Sequence, residues 1–155
     1  MKSIRVTFSN AAGETLAGVL DMPLVPPRHY ALFAHCFTCG KNLKTSRNIS
    51  HALTKAGFAV LRFDFTGLGQ SEGDFADTNF SHNLKDLITV NNYLAEHYQA
   101  PTLMIGHSLG GAAVLVAAGK LTNIKAVATI GAPADAVHVS HVLGNKEELL
   151  AKGKT

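Results

Sequence analysis

Thr102-Leu103-Met104-Ile105-Gly106-His107-Ser108-Leu109-Gly110-Gly111 carries the strongest structural signal in the chain. It begins as a short apolar run, passes through small residues, and opens an Ala-rich apolar segment reaching to about Lys120. Gly106 to Gly110 fit G-x-S-x-G, a pattern with meaning only between a buried strand and a helix, where it makes a sharp turn that lifts the serine Oγ above a sheet. Both flanks are present. Strand and helix backbones approach closely at such a turn, so small residues are required. The N-terminus of the following helix directs partial positive charge at the same place. Ser108 is therefore the candidate nucleophile. The competing reading is a glycine-rich strand-to-helix turn that holds a phosphate, or nothing.

The segments on either side alternate between strand-like and helix-like periods. Tyr30 to Ala34 and Phe58 to Asp64 are short continuous apolar runs, as expected of strands covered on both faces. Ser46 to Ala56 suits a helix, with Gly57 at its C-terminal end. Asn83 to Tyr98 places Leu84, Leu87, Ile88 and Leu94 on one helical face, interrupted by Asn91. Leu109 to Lys120 reads as a buried helix, and Lys125 to Ile130 as a fourth buried strand closed by Gly131-Ala132-Pro133. Before all of these, Ile4 to Phe8 alternates apolar and polar residues, Asn10 to Gly13 is a turn, and Thr15 to Asp21 is the return strand of a hairpin. The order predicts an α/β fold: a mostly parallel sheet of about six strands, flanking helices, right-handed crossovers and an N-terminal antiparallel hairpin at one edge. The strand ending at Ile130 is left as an open edge, which predicts self-association through it.

The 155 residues suffice for a single domain with a core, and 46% apolar with 16% charged residues is a globular composition. The net charge of +3 comes from scattered Lys and Arg with no basic run, so no nucleic-acid binding is read from it. Met1 to Val6 has no apolar core of a signal peptide, and no apolar stretch reaches the ~18–20 residues of a membrane span. With two Cys there is no disulfide framework, and the expectation is a cytoplasmic protein.

Two further loops hold chemistry-bearing residues. His35-Cys36-Phe37-Thr38-Cys39-Gly40-Lys41 follows the first buried parallel strand. Its Cys36 and Cys39 form C-x-x-C, so a thiol redox protein is the lesser alternative. No second Cys pair completes a zinc site. His35 reads as structural, hydrogen-bonding within the loop. The second loop runs from Phe63 to Gly73. Gly67 and Gly69 permit a tight turn, but the G-x-G-x-x-G spacing fails because residue 72 is Glu. Asp64 and Ser71 read as holding this loop rather than reacting.

Together, the H-x-F loop, the D-x-x-G-x-G-x-S-x-G loop and the G-x-S-x-G-G turn resemble the α/β-hydrolase family in order, over nearly the whole chain to about Pro133. His35 to Cys39, Arg62 to Gly69, Gly73 to Phe80 and Gly131 to Asp135 resemble more narrowly a bacterial subgroup often fused to an OsmC-type domain. The resemblance implies a serine esterase or acyl hydrolase. Such an enzyme works through a Ser108 acyl-enzyme on a small-molecule ester or acyl substrate, with no metal or organic cofactor. It implies an oxyanion hole made by the backbone N–H groups of Phe37 and Leu109. Cys36 stands where the usual loop has glycine.

In the family the triad runs Ser, acid, His along the chain, each partner following a later strand. This implies that residues 1–155 form the N-terminal part of the domain, an incomplete α/β-hydrolase fold whose acid and base lie beyond it. Residues from about 134 to 155 then begin a cap or connecting region. Asp135, His138 and His141 are the nearest substitutes by residue type, but the family His comes from a separate, later loop. The alternative function is an inactive truncated scaffold or binding module.

Overall fold

The computed structural model describes residues 1–36 and 40–134. Six strands form one sheet: β1 (Lys2–Ser9), β2 (Thr15–Met22), β3 (His29–Ala34), β4 (Phe58–Phe63), β5 (Leu103–His107) and β6 (Ala126–Ile130). Three α-helices connect them: α1 (Lys44–Lys55), α2 (Phe80–His97) and α3 (Leu109–Ala118). The strand order is β1-β2-β4-β3-β5-β6. β1 and β2 form the expected antiparallel hairpin, and β2 also runs antiparallel to β4. β3, β4, β5 and β6 are mutually parallel.

Alternation along the central strands sends side chains to two cores. On one face Leu32, Leu61, Phe63 and Met104 pack with Leu87, Val90 and Leu94 of α2 and Ala113 and Ala117 of α3. On the other, Ala31, Phe33, Val60 and Ile105 pack with Ile49 and Leu53 of α1. The buried stripe of α1 is otherwise polar: Ser46, Ser50 and Thr54, four residues apart. Small hydroxyl side chains suit it because this helix lies over a cluster of buried charges. Ser50 Oγ donates to Asp21 Oδ2 at 2.5 Å.

Helix α2 begins three residues before the apolar stripe that predicts it. Asn79 caps its first turn, accepting from the His82 N–H at 2.8 Å. The Asn91 interruption of that stripe is buried, and its Oδ1 accepts from Asn123 Nδ2 at 2.8 Å.

Two expectations are corrected. The strand expected to be buried from Lys125 to Ile130 is β6, and all its residues but the half-buried Val127 are exposed. Helix α3 is not buried throughout: Ala112, Ala113, Val114 and Ala117 face the sheet, whereas Leu115 is 52% and Val116 38% exposed. The reason is common to both. Among the described residues β6 pairs only with β5, so the last strand and the outer flank of α3 meet solvent.

Candidate active site

Ser108 sits at the junction of β5 and α3 with φ 54° and ψ −121°, the only non-glycine residue with positive φ among the described residues. An L-residue enters this region at a cost of order 1–3 kcal/mol and stays only where surrounding contacts impose it. Those contacts are identifiable. The Ser108 N–H donates to Ile130 O at 2.8 Å, and its carbonyl accepts from Gly111 N at 2.9 Å and Ala112 N at 3.3 Å. The flanking glycines are steric necessities. A Cβ on Gly106 would lie 2.4 Å from Gly110 O, and one on Gly110 would lie 2.5 Å from both Ala34 O and His35 O. The first turn of α3 is thereby pressed onto the end of β3.

Ser108 is half-buried and its side chain does not cap the helix it precedes. Among the described residues the Leu109 N–H has no hydrogen-bond partner, as expected for an orphan donor at a helix N-terminus. Oγ and this N–H belong to adjacent residues at the C-terminal edge of the parallel strands.

Behind the turn lies a buried polar cluster. His35 is 1% exposed, and its Nδ1 lies 2.5 Å from Cys36 O, so Nδ1 carries the proton it donates there. Its Nε2 is 3.6 Å from Asp64 Oδ1 with no hydrogen-bond partner. Burial holds the imidazole below its ordinary range, against the opposing pull of the Cys36 carbonyl and Asp64. His35 is thus a neutral loop residue, as its position after β3 predicts. Asp64 and Ser71 hold the neighbouring loop: Ser71 Oγ donates to Asp64 O at 2.6 Å, and Gln70 N–H to Asp64 Oδ2 at 3.1 Å. Further along, Asp21 accepts from Arg62 Nε at 2.8 Å and from Ser3 Oγ at 2.6 Å. Burial raises the Asp21 pKa, but bonds from Arg62, Ser3 and Ser50 outweigh it, leaving the carboxyl below the usual range.

The parts played by Asp21, Arg62 and Lys41 escape the sequence reading. One signal was available: Arg62 is the single charged residue inside the apolar run from Phe58 to Phe63, and a charge there needs a buried counter-charge.

Cys36 is 7% exposed and disulfide-bonded, where two cysteines predict no disulfide framework. Phe37, Cys39, Asp135, His138 and His141 lie outside the described residues. Among the described residues no group of three or more His, Cys, Asp or Glu is placed to hold a metal ion. No described helix is long and apolar enough to cross a membrane.

The sequence matches the family model "Serine aminopeptidase, S33" over residues 28–152. The chain belongs to this α/β-hydrolase family. The hydrolase fold is borne out in its six-stranded sheet and antiparallel N-terminal pair, and it is partial relative to solved members. An esterase domain from a Rhodothermus marinus protein is 56% identical with TM-score 0.76, over 91% of this chain and 55% of that one. A Butyrivibrio proteoclasticus protein solved with ferulic acid is 30% identical with TM-score 0.72, over 79% of this chain and 50% of that one. A mitochondrial palmitoyl-protein thioesterase of Rattus norvegicus is 31% identical over 87 residues, 56% of this chain and 28% of that protein. None of these three is named as an OsmC fusion. The chain thus spans about half of each solved relative.

Proposed function

We propose that this chain is the nucleophile-bearing part of a serine esterase or acyl hydrolase. The observation that carries the proposal is the positive φ of Ser108 at a turn whose next N–H, that of Leu109, is left without a partner among the described residues. Ser108 Oγ attacks the carbonyl carbon of a small ester or acyl substrate. Its proton passes to a general base and then to the departing alcohol or thiol. The carbonyl oxygen becomes an oxyanion held by the Leu109 N–H and, on the loop after β3, the Phe37 N–H. One such donor lowers the barrier by about 2.7–4 kcal/mol. Water then releases the acyl group from Ser108. The base and its acid partner come from outside the described residues. Without a base the hydroxyl is a weak nucleophile. Family membership and the esterase and thioesterase relatives support this class of chemistry.

A second reading, a scaffold or binding module, is favoured by one observation, the exposed strand β6. It includes self-association through that edge. Incubating the chain with a fluorophosphonate separates the readings. The expected result is one slowly formed covalent adduct, mapped to Ser108 by mass spectrometry, absent in Ser108→Ala and slow because the hydroxyl lacks its base. No adduct on a folded sample favours the scaffold.

A further inference from the structure

From Met22 to Phe63 the chain carries no Asp or Glu. Two cations of this stretch, Lys41 and Arg62, are buried against Asp64 and Asp21. The others, Arg28, Lys44, Arg47 and Lys55, are exposed. Scattered in the sequence, three of them come together on α1. Lys44, Arg47, His51 and Lys55 recur every three or four residues and form one stripe along the helix, roughly 17 Å long. Ile49, Ser50, Leu53 and Thr54 turn toward the sheet instead. Among the described residues none of the four stripe side chains has an anionic partner. The stripe works against the helix that carries it. Like charges one turn apart repel, and Lys44 puts a cation at the N-terminal end, where the dipole favours an anion. No acidic residue occupies that first turn.

At the C-terminal end of the stripe the surface turns apolar. Leu24 is 84% and Val25 64% exposed. They stand in the β2–β3 loop between Pro23 and Pro26-Pro27, so a stiffened backbone presents them. A hollow of about 210 Å³ is bordered by Leu24, Val25, Thr54 and Lys55, and the Arg28 side chain lies along Gly57 just beyond the helix. The exposed acids lie elsewhere. Among the described residues they are Glu72, Asp74 and Asp77, in the connection leading to α2, and Glu96 on α2, which covers the other face of the sheet. Half-buried Glu14 precedes β2, at the opposite end of that strand from Leu24.

We infer that the outer face of α1 and the Leu24-Val25 loop form a docking surface for an anionic lipid bilayer. Cations unmatched by acids suit a layer of anionic headgroups, and the two apolar side chains beside them suit the acyl boundary beneath. A nucleic acid would match the stripe but offers Leu24 and Val25 nothing apolar to enter. A protein partner fits less well, because lysine is depleted at protein interfaces. Docking holds the Ser108 turn away from the bilayer. The β2–β3 loop precedes β3, whereas Ser108 follows β5, which is parallel to β3, so the two lie at opposite ends of the sheet. The inference is independent of the reading of Ser108 as nucleophile.

Vesicle flotation tests it, with the full chain and vesicles of phosphatidylcholine alone or mixed in equal parts with phosphatidylserine. Wild type is expected to float with the mixed vesicles and not with phosphatidylcholine alone. Salt that shortens the screening length from about 10 Å to about 3 Å should release it. Each cation near an anionic surface contributes about a fivefold gain in binding, so the triple variant Lys44→Gln, Arg47→Gln, Lys55→Gln should lose about a hundredfold. The double variant Leu24→Ser, Val25→Ser should lose about tenfold. A control triple, Lys85→Gln, Lys120→Gln, Lys125→Gln, removes the same charge from exposed positions off this face and should lose less than about threefold. All substituted residues are exposed, and unchanged urea midpoints verify the fold. Absence of wild-type flotation overturns the inference, as does equal binding to both vesicle types. A control triple as weak as the stripe triple overturns it too, since net charge alone is then at work. If duplex DNA binds wild type as tightly as the mixed vesicles do, and Leu24→Ser, Val25→Ser weakens neither, the stripe serves nucleic acid and the bilayer proposal falls.

Discussion

Among the described residues β1 and β6 are the two edge strands of the sheet, one with Lys2, Ser3, Arg5, Thr7 and Ser9 exposed, the other with Ala126-Val127-Ala128-Thr129-Ile130 and no charge at all. Charged side chains along an edge strand oppose the addition of a further strand. Behind β1 the interior is also closed, by the Asp21–Arg62 pair and the Ser3 hydroxyl. Beside β6, Leu115 and Ile130 are exposed and apolar. Among the described residues one edge strand is therefore charged and the other apolar. The apolar one lies next to Ser108, whose N–H is bonded to the last residue of β6.

The largest effect is expected on the β1 side. Arg62→Met leaves Asp21 buried at 0% exposure without its cation, and should cost about 3–5 kcal/mol in urea unfolding. A loss below about 1 kcal/mol would mean that the cluster is not what closes this side.

The next effect is one of pH. His35 is held below its ordinary range chiefly by burial. An unfolded histidine takes up its proton first as pH falls through about 6.5, so the native state loses stability from there down to the lower native pKa. His35→Asn should flatten this part of the stability profile, measured by urea midpoints between pH 5 and 8. Asp21, with its pKa depressed, adds a further loss only at more acidic pH.

The smallest effect on stability is expected at β6. Ala128→Lys, at an exposed position, should change unfolding free energy by no more than about 0.5 kcal/mol. Sedimentation should nevertheless show weaker self-association. The reciprocal change, Lys2→Val with Arg5→Val, should make the β1 edge associate while leaving the fold intact. Equal sedimentation of all three proteins would end the contrast between the edges.

Local geometry was legible in the chain. G-x-S-x-G between an apolar run and an Ala-rich run located the turn at Ser108, because a strained strand-to-helix turn makes its steric demands on adjacent residues. Alternation in the first strand, the hairpin turn after it and short continuous apolar runs located all six strands to within about three residues, since period and turn chemistry act over a few positions. Exposure was less legible. Ala-Val-Ala-Thr-Ile reads as a buried strand, and whether it is buried depends on what lies beside it, which no local pattern encodes. The buried charge cluster was least legible of all. Lys41 and Asp64 are 23 residues apart, and Asp21 and Arg62 41 apart. The sheet brings them together by setting β4 between β2 and β3. The chain alone specified where the backbone turns and which serine it presents. Which charges meet inside the protein, and which of the described strands lie at the edges, followed from strand order, because pairing and burial are properties of neighbours distant in sequence.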